Sequence, residues 1–82
     1  MTKEDILKRL TLHFKNSNIE VNDMTGQNNH FSVLVLSNKF EGISLIDRHK
    51  MIYSIFKKEI VNEIHALQIQ AFTLLEWKSN KN

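Results

Sequence analysis

Four histidines, nine carboxylates and eleven basic side chains carry the reactive chemistry of an 82-residue chain that has no cysteine. Imidazole both ligates transition metals and titrates near neutrality, so the histidines come first. In the segment IHALQIQAF, His65, Leu67, Ile69 and Ala71 recur in steps of two and share one strand face. Three of those four are apolar and belong on a core. His65, at the strand's first position, can lean out towards solvent. The competing reading is a half-buried structural histidine, the ordinary fate of a lone one on such a face. His30 opens a second apolar run, HFSVLVLS. His49 lies between Leu45, Ile52 and Phe56 at helical spacing, which favours packing at a helix edge over ligation. His13 has no neighbours that give it a role.

Other chemistry is thinly supplied. Any thiolate at a metal site has to come from a partner, because the chain offers none. There is no Gly-rich phosphate loop, no HExxH, and no serine with evident His and Asp partners. Glu59 and Glu63 stand at i, i+4 on a helical stretch, but paired surface carboxylates are common. Catalysis is therefore the class with least support. Arg48, Lys50, Lys57 and Lys58 cluster on or just after a helix, where they could meet DNA phosphate. A run of that kind is usually a solvated face, and a net charge of +2 is a weak bias. No run reaches the roughly 18 apolar residues of a membrane span, and the start MTKED lacks an apolar signal region. A soluble cytoplasmic protein is expected.

The elements that must position these residues follow from periodicity. At this length one core is all that can be buried, so residues 1–82 are expected to form one domain. Thr2 is an N-cap with Glu4 and Asp5 at the positive end of a helix dipole, and Ile6, Leu7, Leu10 and Phe14 mark a buried face, predicting a helix from Lys3 to Lys15. Asn16, Ser17 and Asn18 stop it. Ile19 to Met24 alternates as a short strand, residues 26–29 turn, and His30 to Ser37 returns as a second strand, making a hairpin. Its continuous Val33-Leu34-Val35-Leu36 centre implies fuller coverage than its neighbour.

After a loop from Asn38 to Ile43, Ser44 and Asp47 give a helix-start signal. That second helix is predicted to face the core with Leu45, Ile52 and Phe56, and to end with Lys57 and Lys58 in its last turn. Ile60, Val61 and Ile64 suggest one further helical turn. The last strand lies within Val61 to Trp77, and the tail KSNKN is expected to fray. The order is α-β-β-α-(α)-β, an α+β fold with a three-stranded sheet and helices on one face. The crossover through a helix suits parallel strands, which would put His30 and His65 at the same end of the sheet.

In this order the chain resembles the BolA family. The residues that carry the resemblance are Val21-x-Asp23-x-Thr25-Gly26, Phe31 to Val35, Ser37-x-x-Phe40-x-Gly42, Arg48-His49-Lys50, Ile64-His65-Ala66-Leu67 and Thr73-x-x-Glu76-Trp77. They span about Ile6 to Trp77, and QNNHF is similar to the shorter-loop bacterial type. Many relatives carry a cysteine, or a histidine deeper in the loop, where this chain has Asn28, which makes His30 the nearest substitute. Relatives commonly have proline where this chain has Leu74.

The resemblance implies a fold like the class II KH domain. It also implies a monothiol glutaredoxin as partner and a [2Fe-2S] cluster shared with it, in an iron-homeostasis role, with His65 at the family's marked position and His30 as second ligand. Neutral imidazole is a competent iron ligand, and mixed histidine and thiolate ligation occurs in Rieske centres. Sulfur would come from the glutaredoxin cysteine and glutathione. Some relatives are linked instead to transcriptional regulation and DNA binding. A KH domain grips RNA through a GXXG loop, and the two glycines here do not form one. Alone, the chain is expected to be a monomer or weak homodimer.

Overall fold

Thr2 and Asp5 open the chain with a reciprocal capping box, side chain to backbone in both directions. In the computed structural model, which describes residues 1–80, helix α1 runs over Lys3–His13. It stops two residues before the predicted end, and Asn16 takes a left-handed conformation at φ 60°. Strands β1 (Asn18–Asp23) and β2 (His30–Leu36) pair antiparallel, with Ile19 opposite Val35 and Asp23 opposite Phe31. A short 3₁₀ turn over Asn38–Phe40 follows.

Helices α2 (Leu45–Ile55) and α3 (Lys57–Asn62) then lead into β3 (Ala66–Phe72) and α4 (Leu74–Asn80). The sheet order is β1-β2-β3, and β3 lies parallel to β2 with Ala66 opposite His30. The expected α+β fold with a three-stranded sheet is the one observed. No helix among the described residues is long and apolar enough to cross a membrane.

One layer of side chains makes the core. Phe31, Val33 and Val35 from β2 and Ala71 from β3 meet Ile6 and Leu10 of α1, Phe14 at its C-cap and Ile52 of α2, with Phe40, Phe56 and Ile64 closing the ends. Alternation explains the sheet's share, since odd-numbered residues of β2 are buried while Ser32 and Leu34 are only half so. The Ser37-x-x-Phe40-x-Gly42 signature has a local cause. Ser37 Oγ accepts the Lys39 N–H and turns the chain, Phe40 is buried against Phe14, and Gly42 supplies a φ of 74°.

Four expectations need correction. Lys57 and Lys58 do not end α2, because the chain breaks at the buried Phe56 and both lysines open α3 instead. Leu45 and His49 do not face the core: both are exposed, and α2 buries Arg48 and Ile52. The last strand stops at Phe72. Beyond it the chain is helical rather than extended or frayed, since Thr73 and Glu76 form a second reciprocal cap for α4. The expected fraying of the last two residues, Lys81 and Asn82, lies outside the described residues.

Candidate metal centre

The parallel crossover decides where the histidines go. With Ala66 opposite His30, the residue before β3 comes to rest beside the first residue of β2. His30 and His65 have ring centroids 6.3 Å apart at 47° to one another, as the same-end argument anticipates. His65 is exposed and His30 half-buried. No ring nitrogen of either histidine makes a hydrogen bond to a described residue, which leaves them free to meet an outside metal. With metal–nitrogen bonds of about 2.0–2.1 Å, two rings on one ion have centroids roughly 5–6 Å apart, a gap that a small rotamer adjustment of exposed side chains closes.

The donor set fits half of a metal site. Among the described residues no three His, Asp or Glu side chains converge, so the pair presents nitrogen on one side only. An iron–sulfur group taken there would draw its remaining ligands from a second molecule bearing thiolates, an arrangement that suits an exposed edge and a chain without cysteine.

The backbone beside the pair is held by one carbonyl. Asn29 O accepts the His65 N–H at 2.8 Å and the Ala66 N–H at 3.3 Å. Asn28 is exposed in the same loop at a left-handed φ of 58°. The other two histidines are not brought to this edge. His49 sits on the outer face of α2 beside Ile46, Lys50 and Tyr53. The His13 Nδ1 lies 3.0 Å from Arg9 O in its own helix.

Arg48 is the largest departure from the sequence reading. Its guanidinium is buried, with 5% side-chain exposure, and donates from Nε to Ile43 O, from one terminal nitrogen to Ala71 O and Glu76 Oε1, and from the other to Glu76 Oε2. It also lies over the Phe40 ring. A guanidinium buried and paired with Glu76 in this way is not presented to phosphate, which removes Arg48 from the basic patch and leaves Lys50, Lys57 and Lys58 exposed. The Arg48 guanidinium, with help from the Thr73 backbone, holds the Glu76 carboxyl at a pKa of about 2. Of the carboxylate pair, Glu59 is committed to Arg9 and Glu63 to the Met1 amine, so neither is a spare acid or base. The signal that could have revealed the Arg48 site was the Thr73-x-x-Glu76 spacing, a capping box read only as a family mark.

These features define a class: a small α+β domain whose parallel strand pair presents two imidazoles at one exposed end. The match to the family model described as BolA-like protein extends over residues 6–76, and the chain belongs to the BolA family. BolA-like protein 1 of Bos taurus is 42% identical over 55 residues, which are 67% of this chain and 41% of that one. The chain thus spans about two fifths of the animal relatives it matches. The Escherichia coli protein named DNA-binding transcriptional regulator BolA is 33% identical over 85 residues, covering 95% of this chain and 81% of its own. Among solved structures, the BolA domain of SufE1 from Arabidopsis thaliana superposes with a TM-score of 0.82 at 31% identity, over 90% of this chain and 93% of that one.

Proposed function

We propose that this protein is a non-catalytic adaptor that docks a monothiol glutaredoxin and co-ligates its [2Fe-2S] cluster through His65, with His30 as the second imidazole. The observation that carries the reading is the histidine pair, His65 exposed and His30 half-buried, with centroids 6.3 Å apart and unclaimed ring nitrogens. The cluster would supply the redox and transfer chemistry. What this chain contributes is nitrogen donors at one end of a parallel strand pair, and a face that requires a thiolate-bearing partner. Iron–sulfur trafficking or iron regulation follows as the setting, in the cytoplasm.

Mixing the protein with cluster-loaded monothiol glutaredoxin tests it. The visible CD of the cluster should change on addition of wild type, change little with His65→Ala, and change less than wild type with His30→Ala. An unaltered spectrum with wild type, or His65→Ala behaving as wild type, overturns the reading. His30→Ala matching wild type would remove His30 alone from the ligand set.

A second reading is nucleic-acid binding by the exposed Lys50, Lys57 and Lys58. It is favoured by the name of the Escherichia coli relative, a DNA-binding transcriptional regulator. Here affinity for duplex DNA should fall linearly with the logarithm of salt concentration, and reversing Lys57 and Lys58 to glutamate should abolish it. DNA binding that survives that reversal sinks this version.

A further inference from the structure

Neither imidazole of the pair is oriented by a side-chain hydrogen bond to a described residue, so the backbone sets how far apart the two side chains are rooted. That backbone is clamped at Asn29, whose carbonyl takes the N–H groups of His65 and Ala66 while the next residue is His30. Asn29 therefore sits between the two rings in the covalent and hydrogen-bonded sense. What fixes Asn29 is a loop with little packing of its own, because residues 24–28 are exposed.

The loop is braced by two polar side chains. Asp23 Oδ1 accepts the N–H groups of Thr25 at 3.3 Å and Gly26 at 3.0 Å, and Oδ2 accepts the Asn28 N–H at 3.1 Å. Thr25 Oγ1 accepts the Gln27 N–H at 3.1 Å and donates to Asn29 Oδ1 at 2.6 Å. One carboxylate thus gathers three backbone donors, and one hydroxyl passes the constraint on to Asn29. The bracing also supports the left-handed backbone at Asn28, which a loop free to relax would give up.

We propose that Asp23 is a positioning residue of the two-histidine site: its carboxylate sets the Asn29 carbonyl and, through it, the spacing of His30 and His65. What the site holds rests on the adaptor reading above; the positioning itself does not. Asp23 touches neither imidazole and acts only through the loop. Its three N–H partners belong to exposed residues that water can satisfy, so losing the carboxylate loosens the loop without opening the core.

The test compares wild type with Asp23→Ala, Asp23→Asn and His65→Ala. Without any partner, hydrogen exchange at the His65 amide should quicken in Asp23→Ala by about fivefold, the factor for one lost ordinary hydrogen bond. Contacts between the His30 and His65 ring protons in NOE spectra should weaken, while exchange at Val33 and Val35 stays at wild-type rates. Asp23→Asn keeps one acceptor oxygen and should fall between. In the glutaredoxin complex, Asp23→Ala should alter the cluster's CD and EPR signature. Wild-type exchange and NOEs in Asp23→Ala overturn the proposal. So does faster exchange spreading to Val33 and Val35 in both Asp23 variants, which would make Asp23 a general structural residue. If His65→Ala leaves the cluster spectrum unchanged, the adaptor reading fails, and the partner-free exchange and NOE data still decide the role of Asp23.

Discussion

Arg48 donates four hydrogen bonds inside the protein and joins three stretches of chain: the turn before α2, the end of β3 and the start of α4. Arg48→Ala takes away a buried guanidinium and leaves the Ile43 and Ala71 carbonyls without its N–H groups, which together cost about 3 kcal/mol. In a domain this small that lowers the Tm by roughly 15 °C, which a thermal melt by CD will show. Glu76 gives the partner prediction. Its folded pKa of about 2 lies below the ordinary carboxylate value, so the pair stabilises the fold at neutral pH and loses that contribution as pH falls from the unfolded value towards 2. Lowered values for Asp5 and Glu59 act in the same direction. Urea midpoints of wild type and Glu76→Gln should differ most at neutral pH and converge in acid. Of the residues that matter, His65 was legible as a polar residue at the head of an apolar alternation, although it stands one residue before β3 rather than at its first position. Arg48 was not. It precedes Ile52 by four positions and His49 by one, and a stripe through Leu45, Ile52 and Phe56 leaves either residue as the one facing inward.

Elements were readable where their ends carry chemistry. Thr2 and Ser44 announced their helices, and both cap as expected. The break between α2 and α3 carries no glycine or proline and arises because Phe56 has to stay buried while the chain turns, a tertiary demand that local pattern does not show. Its consequence is that Lys57 and Lys58 crowd the positive end of α3. Lys57→Glu with Lys58→Glu should leave the Tm at or above that of wild type, while eliminating DNA binding if those lysines are its basis. The end of β3 was hidden in the same way, because VNEIHALQIQAFTLLEW stays apolar through the switch from strand to helix. Leu74 is the first residue of α4, where a fixed φ is welcome and the N–H has no intrahelical acceptor. Leu74→Pro should therefore stabilise by about 0.5 kcal/mol through the unfolded state, seen as a rise in urea midpoint.

As a whole the molecule has one core fed by every layer, and Leu10 of α1 lies within it with no exposed surface. Leu10→Ala should cost about 3 kcal/mol, and the loss should appear together in far-UV CD and Trp77 fluorescence if the domain melts as one unit. The parallel pairing of β2 with β3 has a further consequence in time. His30 and His65 are separated by more than a third of the chain, and only that late, long-range pairing makes them neighbours. A nascent chain, a proteolytic fragment or a partly melted molecule carries its imidazoles apart. Any binding that needs both rings is thus withheld until folding is complete, so that only finished molecules are competent for it.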